Sequence, residues 1–571
     1  MLVNKRYLFL LSVVFYGVAL LIPNHYFPWT TFYSEFFAIV ALFFLAGIVA
    51  FLGDPSSQGR VPASCVFVFL YSLIPLVQYY SGQITFYMDM LINWIYLVSL
   101  SCSIYVGFCL YSRYGKELLK WFAVVVLSLG LVSAMLAITQ WLLVDGVSLY
   151  ISEIQIGSAP YANLNQPNNL ASLLIWSFMC AMYLRIKNAL SSDFYWFIVI
   201  ILMFVIALTG SETSWLVFLV AICFFSFKRS VLINICTSSY RRFLLSVGAY
   251  MFFYLLIGSA NDALLISEVA SEETLDSHRL SLWAQFFIGL GEMPSMGFGW
   301  GQTALAQLSG ALVAESVVGF SQFSHNVFLD LVIWNGWFFG GIAAFGLLYF
   351  CVYVVAKSND MDRVFMGSII GVLCVHAMVE LPHAYAYFLI PTGLIVGAYS
   401  AASAGGVQYP YKSTKLVHLG SAGLISGFSI FVAAIVWIDY RNLEEDYRRL
   451  RFKSAGIVGA GEHCEDRIYT LDALREFICF AGKKASENMS DERLIGMREV
   501  VYRFPYAPSL FRYFLALEIN DNFEESGREL TRIRNMYPKL FLDEVLPNIK
   551  LMKDGRYPNI RTADEIIQAA N

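Results

Sequence analysis

The chain has 571 residues, of which 58% are hydrophobic, 16% aromatic and 14% charged, with a formal net charge of −4. With a mean hydropathy of +0.61, this composition excludes a soluble globular protein, whose core could not absorb so much apolar surface, and describes an integral membrane protein.

Apolar runs near the ~20 residues that a bilayer core requires recur at 7–23, 34–53, 63–79, 88–112, 121–143, 168–185, 193–208, 214–227, 243–259, 327–356, 364–379, 386–403 and 417–438. The expected fold is therefore all-α and polytopic, with about thirteen transmembrane helices. The first run follows Lys5-Arg6 without a small-residue cleavage site, so it reads as an anchor with a cytoplasmic N-terminus rather than a removed signal peptide. Over residues 1–439, taken as the transmembrane domain, Lys and Arg gather in alternate loops, such as Arg113/Lys116/Lys120, Arg185/Lys187 and Lys228/Arg229/Arg241/Arg242. The positive-inside rule places those loops in the cytoplasm. The stretch 261–325 holds seven acidic residues and a single cation, Arg279, so it is expected to face outward as a large periplasmic loop.

After Asp439 the composition changes: residues 440–571 carry 21 of the 38 Lys+Arg and 22 of the 42 Asp+Glu and no further spanning run. Helical spacing of apolar residues at 471–480, 510–519 and 530–536, with breaks at Tyr506-Ala507-Pro508 and Tyr537-Pro538, predicts a soluble helical tail of hairpin character. An odd span count puts this tail outside, whereas Arg441, Arg448, Arg449 and Arg451 argue for inside; Glu444, Glu445 and Asp446 dilute that charge, and the outer side is favoured. Cys464 and Cys479 are open to pairing or to remaining two buried thiols. No spacing suggests zinc, and no glycine-rich loop resembles a phosphate cradle, so no metal or cofactor is expected.

The unusual polar residues then fall on the outward face. They are 162–169, 208–212, 278–283, 297–301, Ser324-His325-Asn326 and 380–387. Asn and Pro at 163–169 suit a helix cap, while Gln166 and Asn165 offer amides to sugar hydroxyls or a diphosphate. Arg279 precedes an amphipathic stripe, and its planar fork matches phosphate oxygens; the competing reading pairs it with Glu272, Glu273 or Asp276. Gly297, Gly299 and Gly301 are expected in a tight turn under the site. His325 opens a span where imidazole can take a proton from a hydroxyl, with Asp330 five residues on. His376 reads as a packing or hydrogen-bonding group. Tyr385 and Tyr387 are either interface aromatics or a wall for sugar or diphosphate.

ANLNQPNNLA at 162–171, FSHNVFLDLVIWNG at 323–336, ELPHAYAYFLIPTGLIVG at 380–397 and PNHYFPWTTFYSEF at 23–36 resemble the bacterial O-linked oligosaccharyltransferases of the pilin-glycosylation type. These sit in the superfamily of O-antigen ligases and polymerases. The resemblance implies Gln166 as the motif glutamine, His325 as the essential loop histidine, Tyr385 or Tyr387 as the essential tyrosine, and Arg279 as the arginine facing the lipid diphosphate. Glu212 stands where relatives usually carry Arg, which puts a second diphosphate-binding arginine in question. The implied activity is en bloc transfer of a glycan from undecaprenyl diphosphate to Ser or Thr of a periplasmic protein, a pilin above all. The site would face the periplasm from the bacterial inner membrane, with membrane lipid and no nucleic acid as further partners. Rival readings are an O-antigen ligase or polymerase and, in another class, a transporter of the lipid-linked glycan.

Overall fold

The computed structural model describes residues 5–52, 60–144, 149–155, 157–231, 239–263, 275–316, 319–403, 408–410, 415–457, 464 and 467–570. Each of the thirteen apolar runs coincides for most of its length with helix, from Lys5–Leu21 and Phe32–Leu52 to Ala386–Ala402 and Lys415–Ser454. Among the described residues seven helices are long and apolar enough to cross a membrane, and four more apolar helices of 10–17 residues accompany them. The protein is an all-α, multi-pass membrane protein. Its described strands are two three-residue pieces, Arg60–Pro62 pairing antiparallel with Gln408–Pro410.

The chain forms two compact units, each drawn from separate stretches of sequence. The first comprises Met1–Ser72, Ile95–Ala270 and Gly346–Ala433. Its centre is the helix Pro167–Ile186, which is buried at every position from Asn169 to Leu184. A helix apolar on all sides has no solvent face to present and is stable only when surrounded. Glycine allows the close approaches: a side chain on Gly130 would run into Ser177, and one on Gly397 into the Ile104 carbonyl. Such small-residue contacts let helices pack where lipid supplies no hydrophobic drive between them.

The second unit comprises Leu73–Trp94, Ser271–Phe345 and Ala434–Asn571, so the tail clusters with most of the predicted outward loop. The tail helices are Asp472–Gly482, Asp491–Arg503, Ala507–Glu518, Phe523–Met536, Leu546–Asp554 and Ala563–Ala570. Consecutive helices pair as hairpins around Leu510, Phe514, Leu530 and Ile533, all fully buried, which the spacing of three and four residues requires. Cys464 and Cys479 are joined by a disulfide, Cα atoms 5.7 Å apart, which closes the question the sequence left open.

Two acidic contacts tie the tail to the start of the helix Tyr87–Tyr114. Arg503 grips Asp89 with two bonds of 2.8 and 2.9 Å, both side chains buried. Asp472 accepts the backbone N–H groups of Tyr87 at 2.9 Å and Met88 at 2.7 Å, capping from a distance of some 385 residues in sequence. Helix-start amides have no partner within the helix. Asp472→Ala should therefore destabilise the protein by about 1–2 kcal/mol, read as a lower midpoint in detergent thermal unfolding; an unchanged midpoint would show that water replaces the cap.

Candidate functional site

The first unit gathers the polar residues of three sequence patches. Pro167 opens the central helix at its first position with Gln166 as N-cap, and no side chain caps it. The asparagines expected to cap this helix are used elsewhere. Asn163, fully buried, donates to the carbonyls of Leu21 at 2.6 Å and Tyr150 at 2.8 Å and accepts from Ser152 N–H. His25 touches the Asn163 carbonyl at 2.8 Å. Those bonds fix the turn before the helix, and Asn165 sits on its exposed crest at φ +56°, a conformation asparagine tolerates.

Beyond the turn, the buried Glu380 carboxylate receives the amide of Gln166 at 3.3 Å and that of Asn168 at 3.1 Å. Ser211 donates to the Asn168 carbonyl at 2.5 Å. Asn169 donates to the Tyr387 hydroxyl at 3.0 Å, and Tyr385 stacks on Tyr387 with centroids 5.1 Å apart. Ser172 and His376 Nδ1 lie 2.8 Å apart, which makes His376 the hydrogen-bonding group its mid-helix position suggested. Glu35 accepts the Ala386 N–H and Tyr16 donates to the Tyr387 carbonyl at 3.0 Å, so both sides of the tyrosine motif are pinned. Burial first, then the charge of Glu35, raises the Tyr385 phenol above its ordinary value. Tyr385 is thus a neutral donor rather than a phenolate. With one N–H donated to Glu380, the Gln166 amide carries a carbonyl oxygen that could accept from a hydroxyl.

The second unit holds the other three patches. Arg279 is half-buried on the helix Leu275–Gly289; Glu272 and Glu273, and the side chains of Asp276 and His278, lie outside the described residues. One turn after Arg279, the Trp283 indole N–H donates to the Ser324 carbonyl at 2.8 Å. Ser324 N–H donates to buried Asp330 at 2.8 Å. Asn326 caps the helix Val327–Asn335 by accepting from Phe328 and Leu329. Between them His325 stands half-exposed at φ +57°, on a turn fixed from both sides. The structure thus couples the Arg279 helix to the His325 turn through Trp283. Gly297, Gly299 and Gly301 all have positive φ; a side chain on Gly297 would meet the Asn335 and Gly336 amides at 2.5 Å, which makes the expected tight turn a requirement of packing.

Gln166, Asn165, Tyr385 and Tyr387 therefore share one unit, and Arg279 and His325 the other. Sequence reasoning assigned no role to Glu380 beyond standing near the tyrosines, and it treated Asn168 and Asn169 as cap residues. A carboxyl residue in the same short motif as the two tyrosines was the available signal, because a carboxylate taken out of water demands donors.

Comparison with known proteins gives a consistent result. Residues 364–544 match the family model for the C-terminal part of virulence factor membrane-bound polymerases. Among curated proteins, a general O-oligosaccharyltransferase of Acinetobacter baylyi is 25% identical over 549 residues, 94% of each chain. A ComP-specific O-oligosaccharyltransferase of the same species is 26% identical over 520 residues, 89% of this chain and 91% of the relative. This multi-pass membrane protein is thus similar along nearly its whole length to two O-oligosaccharyltransferases of Acinetobacter baylyi, and over residues 364–544 to membrane-bound polymerases.

Proposed function

We propose that the protein is an O-linked oligosaccharyltransferase that moves a preassembled glycan en bloc from undecaprenyl diphosphate to a Ser or Thr hydroxyl of a periplasmic, pilin-like protein. The observation that carries the reading is the end-to-end relationship to two O-oligosaccharyltransferases, joined to an amide, carboxylate and phenol cluster built from the resembling motifs. In this reading the acceptor oxygen attacks the anomeric carbon, the bond from that carbon to the diphosphate oxygen breaks, and the anomeric centre inverts. His325 takes the hydroxyl proton, Arg279 binds the departing diphosphate, and Gln166, Asn165, Tyr385 and Tyr387 hold the donor. The donor is already activated, so the reaction needs neither nucleotide nor metal.

The membrane domain is assigned to residues 1–439 and the soluble tail to 440–571, with the reacting groups on the periplasmic face of the inner membrane. The Cys464–Cys479 disulfide supports an oxidising location for the tail. A second reading, polymerisation of a lipid-linked glycan, has the match of residues 364–544 to membrane-bound polymerases in its favour. Co-expression with a glycan locus and candidate acceptors, followed by intact-protein mass spectrometry, separates them: a mass increment of a whole glycan on the protein supports transfer, and longer lipid-linked chains with unmodified protein would replace it with polymerisation.

Glu380→Ala removes the acceptor of two amides, leaving Gln166 and Asn168 without their anchor. The apparent KM for purified lipid-linked donor should rise ~10-fold, the value of roughly 1.4 kcal/mol in lost hydrogen bonding. A donor KM equal to that of the unsubstituted protein would remove the cluster from donor binding.

A further inference from the structure

We propose that the C-terminal tail is part of the catalytic scaffold, and that Tyr537 and Asn535 are positioning residues that hold the loop leading to His325; the inference rests on the transferase reading above. The tail makes contact at three successive points, first at the end of the helix Thr303–Gly310 and then along the loop that follows it. Arg532 donates to the Leu308 carbonyl at 3.3 Å. Asn535, buried, donates through its side chain to the Ala311 carbonyl at 2.8 Å, and its own carbonyl accepts the Ser316 N–H at 2.7 Å. The Tyr537 hydroxyl accepts the Phe320 N–H at 3.1 Å and donates to the Pro505 carbonyl at 2.8 Å. Its ring lies under Gly319, at φ +76°, where an added Cβ would meet it at 2.7 Å.

From there the network runs on toward the reacting group. Two fully buried glutamines carry it: Gln285 donates to the carbonyls of Ala314 and Asn535, and Gln307 donates to Gln285 and to the Gly319 carbonyl and accepts the Ser321 N–H at 2.9 Å. Ser321 donates to the Phe323 carbonyl at 2.6 Å, and Ser324 is held by Trp283 and Asp330. His325 is the next residue. Among the described residues, the loop after the short helix Thr303–Gly310 makes helix-type backbone bonds only as far as Ala314, so the backbone groups beyond need other partners, and the tail supplies several. Buried networks in which every bond is made select one arrangement, and a shift of about 1 Å at a reacting group costs on the order of 10²-fold in rate. The match of the family model ends at residue 544, just past Tyr537, so these tail residues lie within the shared region.

Tyr537→Phe in the full-length protein keeps the ring and removes only the bridging hydroxyl. Two readouts are taken together. By hydrogen–deuterium exchange, amides of 319–326 should exchange ~10-fold faster, while peptides of the central helix 167–186 are unchanged and report that the protein is folded. With purified lipid-linked donor and protein acceptor, kcat should fall ~10-fold or more with both KM values held, the split expected of misplaced chemistry. Unchanged exchange in 319–326 overturns the proposal. So does faster exchange with unaltered kcat, or a raised acceptor KM at constant kcat, which would make the tail an acceptor-docking domain instead. Should the unsubstituted protein modify no protein hydroxyl while the variant still loosens the loop, the transferase reading falls and the clamp between tail and loop stands. Asn535→Ser, which shortens the bond to Ala311 out of reach, is expected to give the same pair of changes.

Discussion

His325→Ala should lower glycan transfer by ~10²–10⁴-fold, the usual contribution of a positioned general base, with membrane insertion and donor binding retained. The surrounding turn explains why the loss should be confined to chemistry. Asn326 still caps its helix, and Asp330 and Trp283 still hold Ser324, and these anchors of the backbone do not run through the imidazole. The backbone does impose one complication: φ at residue 325 is +57°, a conformation that His, Asn and Asp adopt more readily than Ala, so alanine adds strain of about 1 kcal/mol. His325→Asn separates the two effects. Asparagine suits that conformation and cannot serve as the base, so it should be as inactive as alanine while unfolding at the temperature of the unsubstituted protein. Transfer by a correctly inserted His325→Asn protein at more than about a tenth of the normal rate would take the base role away from this residue.

The helices could be read from sequence because a bilayer permits so few solutions: a spanning backbone must satisfy its own hydrogen bonds, and apolar runs of the right length announce where it does so. The tail helices were legible for a related reason, since 530, 533 and 536 repeat at the spacing that buries one face, and Pro508 and Pro538 mark where helices restart. The site was legible only in part. Gln166 and Glu380 are 214 positions apart in the chain, and no local propensity reports a bond at that separation. For the same reason the asparagines at 163, 168 and 169 looked like cap residues: asparagine does prefer caps, yet here packing of the central helix against its neighbours hands their amides to partners from other elements. Asp330, read as a sign of chemistry beside His325, spends one oxygen on the Ser324 amide and so acts on the turn that carries the histidine. The disulfide could not be deduced because two cysteines in a helical tail fit pairing or separation equally well until the helices are packed. The dependence of the His325 loop on Asn535 and Tyr537 left no trace in composition or motif.

Arg279→Ala should reduce kcat by ~10²–10³-fold, the range for deleting a donor aimed at charge that develops in the transition state, and Arg279→Lys should recover only part of that loss. Arginine presents a planar fork that can bind two phosphate oxygens at once, whereas lysine offers a point charge on a flexible stem. The position favours such a use. Arg279 is half-buried one helical turn before Trp283, and Trp283 fastens the carbonyl next to His325, so a leaving group held by the guanidinium and a hydroxyl served by the imidazole are referred to one rigid stretch of backbone. A diphosphate acquires negative charge as the glycosyl bond breaks, and a fixed cation therefore stabilises the transition state more than the bound donor, which places the effect in kcat rather than in donor KM. Steady-state kinetics on purified lipid-linked donor decide the matter. If Arg279→Lys matches the unsubstituted protein in both constants, charge alone suffices and the guanidinium serves an ion pair within its own loop; if Arg279→Ala raises donor KM with kcat intact, the arginine holds the donor but does not act on its departure.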